Sequence, residues 1–173
     1  HQFPVLSNFG MIVAVYCMHT FCIGLLALDT WTETSRAYQT FLTMADIEMR
    51  RAERYRIFVS LLVLDLSILK EMIPDRTPEL VERLVELAAA RIRCTDSIAP
   101  TDPYRVALLF PETPRQSAML AAHRLTEMVR RVLSEETGKP VDAIIRVEIV
   151  SYPDAAGAKT LSKALQDLAH RSQ

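Results

Sequence analysis

Glycine is scarce in this chain: four residues in 173, and none between Gly24 and Gly138. Over that span no glycine relaxes a left-handed turn or lets the backbone approach a ligand closely. Cysteine is also sparse. Cys17, Cys22 and Cys94 form no CxxC pair and no even framework, which reads as reduced thiols outside any metal site. The four histidines (His1, His19, His123, His170) are scattered, so they suggest no metal cluster. Net charge is −1, so bulk charge gives no reason to expect a nucleic-acid polymer as partner. Charge is missing altogether from Phe9 to Leu28.

What is present begins with that charge-free run. Twenty residues as a helix reach roughly 30 Å, the hydrocarbon thickness of a bilayer. Residues 1–28 are therefore expected to hold a hydrophobic, transmembrane helix, with Ser7-Asn8 as its cap. A helix buried in a dimer or in the tail of a sensory domain is the alternative. No basic region precedes the run, so it does not read as a signal peptide. The chain opens on His1 rather than Met, which suggests a piece of a longer protein or a tag remnant.

Residues 29–173 read as one domain. A helix is expected over about Arg36 to Tyr55, ending in the basic run Arg50 to Arg56, a solvated face or a contact for lipid headgroups. Ile57 to Leu66 and Val106 to Phe110 are continuous apolar runs, the mark of strands buried on both faces. Thr77 with Pro78, and Thr113 with Pro114, read as helix caps. The first opens a helix burying Leu80, Leu84, Leu87, Ala88 and Ile92. The second opens one burying Ala118, Ala121, Leu125, Met128 and Val132, stopped by Gly138 and Pro140. Ile145, Val147 and Ile149 alternate with Arg146 and Glu148, so this strand is expected to bury one face. Leu161, Leu165 and Leu168 mark a closing helix, giving the order α-β-α-β-α-β-α with room for a small hairpin that the pattern does not place.

The stretch that organises the domain is Arg93-Cys94-Thr95-Asp96, five residues before Asp102-Pro103-Tyr104-Arg105-Val106, an apolar strand and Pro111-Glu112-Thr113. Upstream, Asp65-Leu66-Ser67-Ile68-Leu69-Lys70 closes the earlier strand, and Asp29 and Thr32 lie in a Thr-rich segment before the first helix. This layout resembles the GGDEF family of diguanylate cyclases. Asp102 to Val106 stands at the signature pentapeptide, Asp65 and Lys70 match its DxDxFK motif, and Asp29 and Thr32 match the start of DxLTGLxNR. The resemblance implies an α/β (α+β) fold with a ferredoxin-like core, a mixed sheet flanked by helices.

The resemblance also implies what is lost and what is kept. Family members hold two metal ions with carboxylates. Here Ser67 replaces the second Asp, Pro103 and Tyr104 stand at the second Gly and the acidic position, and Arg105 replaces a metal-binding Glu. Ile73 stands where a substrate-guanine Asn belongs and cannot hydrogen-bond a base. Asp65 is then a vestigial metal residue and Lys70 a vestigial phosphate contact, so a catalytically inactive cyclase-like domain with no cofactor is expected. Arg93 and Asp96 match the RxxD inhibitory site. At i and i+3 they are expected at a helix end, with one pocket receiving both side chains. Arg124, in the following helix, stands at the place of a further arginine. An Arg fork matches guanine O6 and N7, and Asp accepts from the amino and imino groups. The plain alternative is a surface ion pair worth at most about 1 kcal/mol. The expected function is a cyclic di-GMP receptor at the bacterial inner membrane, its domain cytoplasmic, acting on a membrane partner such as an exopolysaccharide or secretion apparatus. A ligand-free interaction module, pairing with itself or with another GGDEF domain, is the competing reading.

Overall fold

The strand sequences dictate a sheet covered on both sides. In the computed structural model, which describes residues 36–141, 144–153 and 163–167, β1 (Val59–Asp65), β2 (Ser97–Asp102), β3 (Arg105–Pro111) and β4 (Arg146–Tyr152) form one sheet in the order β2-β3-β1-β4. Every pairing is antiparallel. The expected mixed sheet is corrected on this point. Two split β-α-β crossovers each leave room for one strand of opposite direction between their parallel members, so no parallel neighbours arise.

Side chains alternate between two cores. Leu62, Leu64, Val106, Leu108 and Phe110 join α3 (Thr77–Ala89) and α4 (Arg115–Thr137) in one cluster. Val59, Leu61, Ala107 and Leu109 join Tyr38, Phe41, Ala45 and Ala52 of α1, residues 36–55, on the other face. Leu165, in α5 over residues 163–167, completes that second cluster. The two apolar runs are continuous because both parities are buried, each large side chain contributing about 1.5–3 kcal/mol. β4 differs from its expected half-exposed pattern. Arg146 and Glu148 are exposed, but Val150 and Tyr152, of the same parity, pack against the α1 cluster.

The helices keep the expected inner faces, but their starts differ. Leu80, Leu84 and Ala88 are buried in α3, and Ala118, Leu125, Met128 and Val132 in α4; Leu87, Ile92 and Ala121 are partly buried. Neither threonine caps its helix. Thr77 Oγ1 donates back to the carbonyl of Ile73 at 2.8 Å, across the 3-10 turn Pro74–Arg76 that follows α2 (Leu69–Met72). Thr113 Oγ1 donates to Pro111 O at 2.8 Å. The residues at the cap positions are Arg76 and Pro114 instead, and neither makes a side-chain cap hydrogen bond. Gly138, at φ 64°, ends α4 in the left-handed conformation as expected.

α1 ends in the same geometry without a glycine. Ile57 N donates to Ala52 O at 3.2 Å while Arg56 takes φ 56°. This is the six-to-one bond of a Schellman motif, with arginine where glycine is the relaxed residue. Between the strands, Ser60 Oγ donates to Thr113 O at 2.8 Å, so the 2.8 Å contact from its cross-strand neighbour Ser151 is donated by Ser151. These buried hydroxyls are thereby satisfied.

Residues 9–28 and Asp29 to Ser35, Leu161 and Leu168 lie outside the described residues. Among the described residues no helix is long and apolar enough to cross a membrane.

Candidate functional site

The sheet has two chemically different ends. At one, β1 finishes and the β2–β3 hairpin turns; at the other, β1 starts, β3 finishes and the turn before β2 lies.

At the hairpin end the register builds a row of alternating charge across all four strands. Asp102 faces Arg105, Arg105 faces Asp65, and Asp65 faces Arg146. Arg105 Nε is 3.8 Å from Asp65 Oδ2, and its Nη1 is 3.8 Å from Asp102 Oδ2. Ser67 N donates to Asp65 Oδ1 at 2.9 Å. Burial pushes the Asp65 carboxyl up, but the Ser67 amide and hydroxyl, Arg105 and Arg146 outweigh it, and the group ends below its ordinary 3.8. Lys70 Nζ lies 3.6 Å above the centre of the Tyr104 ring. Leu66 N donates to Tyr104 O at 2.7 Å, fastening the turn to the end of β1.

The hairpin closes without glycine. Neither Pro103 nor Tyr104 has positive φ, so it is not a left-handed two-residue turn. A register shift between Pro100 and Asp102 absorbs the mismatch, and Asp102 Oδ1 accepts from Tyr104 N at 2.8 Å. Asp65 and Lys70, expected as vestigial groups, are thus each engaged by a residue of the altered signature. Arg146 belongs to this row and was missed by sequence reasoning. Its only signal was an arginine on the exposed parity of its strand, and the register that sets it beside Asp65 is not written locally. Among the described residues no group of three His, Cys, Asp or Glu side chains is placed to hold a metal ion.

At the opposite end, Arg93 and Asp96 meet, in a different geometry from the one expected. α3 ends at Ala89, and the two residues lie beyond it in a turn rather than on the helix. Asp96 N donates to Arg93 O at 3.0 Å, and Arg93 N donates to Asp96 Oδ2 at 2.9 Å. The carboxylate therefore holds the turn, and the surface ion pair of the plain alternative is not formed. Asp96 Oδ1 is buried without a hydrogen-bond partner, and the exposed Arg93 guanidinium pairs with nothing among the described residues. Arg124 is exposed on α4, one turn before Met128, whose sulfur accepts from Arg91 Nη1 at 3.5 Å. The end of α3 thus runs beside the Arg124 segment, although no hydrogen bond or ion pair joins Arg124 to the turn.

A second feature of this end was not foreseen. A cavity of about 640 Å³ is lined by Arg51, Tyr55, Arg56, Ile57, Phe58 and Glu112. Arg51 Nη2 reaches Glu112 Oε1 at 2.8 Å and its Nη1 reaches Glu48 Oε2 at 3.3 Å. The basic run at the end of α1 is exposed, with Arg50 paired to Asp46 at 2.9 Å and Arg54 over the Tyr55 ring.

No protein-family model matches this chain, and no curated protein is similar enough to be counted a relative. Its structural neighbours are GGDEF diguanylate cyclase domains. A diguanylate cyclase from Thermotoga maritima matches with TM-score 0.56 at 16% identity, over 77% of this chain and 92% of that one. The GGDEF domain of DgcB from Caulobacter crescentus, solved in complex with c-di-GMP, matches with TM-score 0.52 at 17% identity, over 76% and 80%. Diguanylate cyclase SiaD from Pseudomonas aeruginosa, solved with its activator SiaC, matches with TM-score 0.56 at 14% identity, over 95% and 76%. The fold is that of GGDEF domains.

Proposed function

We propose that this domain is a non-catalytic receptor for cyclic di-GMP, which it binds at the Arg93–Asp96 turn. The observation that carries the reading is the state of that turn. Two hydrogen bonds close the turn, which carries an exposed guanidinium without a partner among the described residues and a carboxylate with an unsatisfied oxygen, at the spacing from the hairpin that a product-binding site has in the resembling family. Arg93 supplies a donor fork for the O6/N7 edge of guanine, and Asp96 supplies acceptors for its N–H edge. To use Oδ1 the turn must open slightly, so binding and a local shift of the turn go together. Arg124 is the third contact, from α4.

The row Asp102–Arg105–Asp65–Arg146 supports the non-catalytic half of the proposal. A guanidinium between the two carboxylates repels a divalent cation from the place where nucleotidyl transfer needs one. The signalling half, to a membrane assembly, rests on the charge-free run of residues 9–28.

Calorimetry on the purified full chain tests the reading. Cyclic di-GMP should bind, and Arg93→Ala should weaken it by about 2–4 kcal/mol, because hydrogen bonds to charged groups are the strong ones. Asp96→Ala should cost a comparable amount and Arg124→Ala less. The same protein given GTP and Mg²⁺ should form no cyclic di-GMP. Heat unchanged by Arg93→Ala, or none at high micromolar ligand, leaves the interaction-module reading. Product that vanishes in Asp65→Ala sinks the non-catalytic claim.

A further inference from the structure

We propose that the outer edge of β4 pairs antiparallel with the same edge of a second copy of this chain, joining two sheets into one. The observation that carries it is a self-complementary sequence. Ile144-Ile145-Arg146-Val147-Glu148-Ile149-Val150, which begins just before β4, is its own partner about its middle residue. With a two-fold axis at Val147, Ile144 faces the second copy's Val150, and Ile145 faces its Ile149. Arg146 faces its Glu148, and Val147 faces Val147. Each apolar residue meets an apolar one and each charge meets its opposite, the cross-strand pairs that stabilise a sheet.

That register has no good competitor. Side chains alternate between faces, so a symmetric pairing that keeps both faces must place its axis on a residue. An axis at Arg146 or at Glu148 sets like charges directly opposite each other, which destabilises the pair.

The edge is also built to accept a strand. β4 pairs with β1 over its whole length with no bulge, and among the described residues no strand lies on its other side. The sheet's opposite edge is guarded, since β2 carries Pro100 and a register shift. β4 has neither device. Its guard is a side chain: Arg115 Nη1 donates to Ile149 O at 2.9 Å. An edge strand turns alternate carbonyls outward, and this one is taken by arginine rather than left to water. A docking strand must displace that bond, so the pairing is reversible.

The exposed groups say what fits. Arg146 has Asp65 opposite it on the β1 side, and its outer side is open among the described residues. Glu148 is exposed and has no ion-pair partner among them. Ile144 is 84% exposed, and the paired register covers it with Val150. An unrelated extended segment would meet the backbone but not this order of charges and apolar groups. The edge lies across the sheet from β2, which follows the Arg93–Asp96 turn, so the inference stands apart from the cyclic di-GMP reading.

Sedimentation of the purified full chain in mild detergent tests it. Wild type should dimerise reversibly, with Kd below about 100 μM. Glu148→Arg sets two arginines opposite Arg146 residues and should weaken the dimer about tenfold or more. Arg146→Glu should do the same with glutamates. Mixed in equal amounts, the two variants regain both ion pairs and should form a heterodimer within about threefold of wild-type affinity. Arg146→Glu also disturbs Asp65; if it fails to fold, Glu148→Arg, which leaves the Asp65 row intact, decides alone. Arg93→Ala should leave the dimer unchanged. A wild type still monomeric at about 100 μM would overturn the proposal. So would a dimer indifferent to Glu148→Arg, as when the copies meet elsewhere, or two folded variants whose mixture stays monomeric.

Discussion

The two ends of the sheet are built from similar residues and arranged to opposite effect. At the hairpin end, Arg105 lies between two carboxylates, Lys70 faces a ring, and the Asp65 carboxylate accepts from Ser67. Each of these charges has a partner inside the domain. At the other end, among the described residues, Asp96 keeps a buried oxygen without a donor, Arg93 and Arg56 have no ion-pair partners, and the Tyr55 and Phe58 rings are largely exposed. The lesson is that charge content does not locate function. Satisfied charge makes a structural brace, whereas held but unsatisfied charge makes a place for a ligand.

The comparison breaks most visibly at its centre. Arg105→Glu would put three carboxylates in one cross-strand row with Asp65 and Asp102. Removing the counter-charge of a half-buried cluster and adding a like charge should cost about 2 kcal/mol, below the figure for fully buried pairs because the row is partly solvated. For a domain of this size that lowers the melting temperature by roughly 5 °C. Millimolar Mg²⁺ should recover part of the loss, and NaCl at equal ionic strength less. An unchanged melting temperature would mean that the row carries no stabilising charge.

Titration sharpens the same contrast. The Asp65 carboxyl is held below 3.8 in the folded state. Its contribution to stability is therefore complete above the unfolded value and is lost as pH falls through the lower folded value. Asp65→Asn should be less stable than wild type at neutral pH, and the gap should close as pH drops below about 4. Denaturant midpoints of the two proteins at several pH values measure that gap. A gap that stays constant through the acid range would show that Asp65 gains nothing from its neighbours.

What was legible in the sequence follows the range of the forces involved. The run Val106 to Phe110 announced a doubly covered strand because burial acts on every residue of it. The inner faces of α3 and α4 announced themselves through a period of 3.6. β2 did not. Its sequence, Ser97 to Asp102, carries Pro100 and polar residues that an edge strand tolerates but that no apolar pattern reveals. The Arg93–Asp96 spacing was legible, but its geometry was not, since nothing local says that α3 stops at Ala89. The row at the hairpin end is the clearest case of hidden information. Its members are ordinary surface charges until the register aligns them. The left-handed Arg56 was concealed for a different reason, because the usual signal for that conformation is the glycine it replaces.

The smallest effect is expected at the edge of the braced end. Lys70 Nζ lies 3.6 Å above the Tyr104 ring, close enough for the ammonium to meet the negative face of the π system. Lys70 is exposed, however, so water competes for its charge. A contact of this kind contributes about 0.5–1 kcal/mol. Lys70→Ala should therefore lower the denaturant midpoint slightly, and Tyr104→Ala somewhat more, because the ring also covers the turn. The decisive quantity is the coupling in a double-mutant cycle. If the two residues brace each other, the double variant should lose less than the sum of the single losses, by about 0.5 kcal/mol. Strict additivity would show that lysine and ring are merely near each other, and that the hairpin is held by the Leu66–Tyr104 backbone bond and the charged row alone.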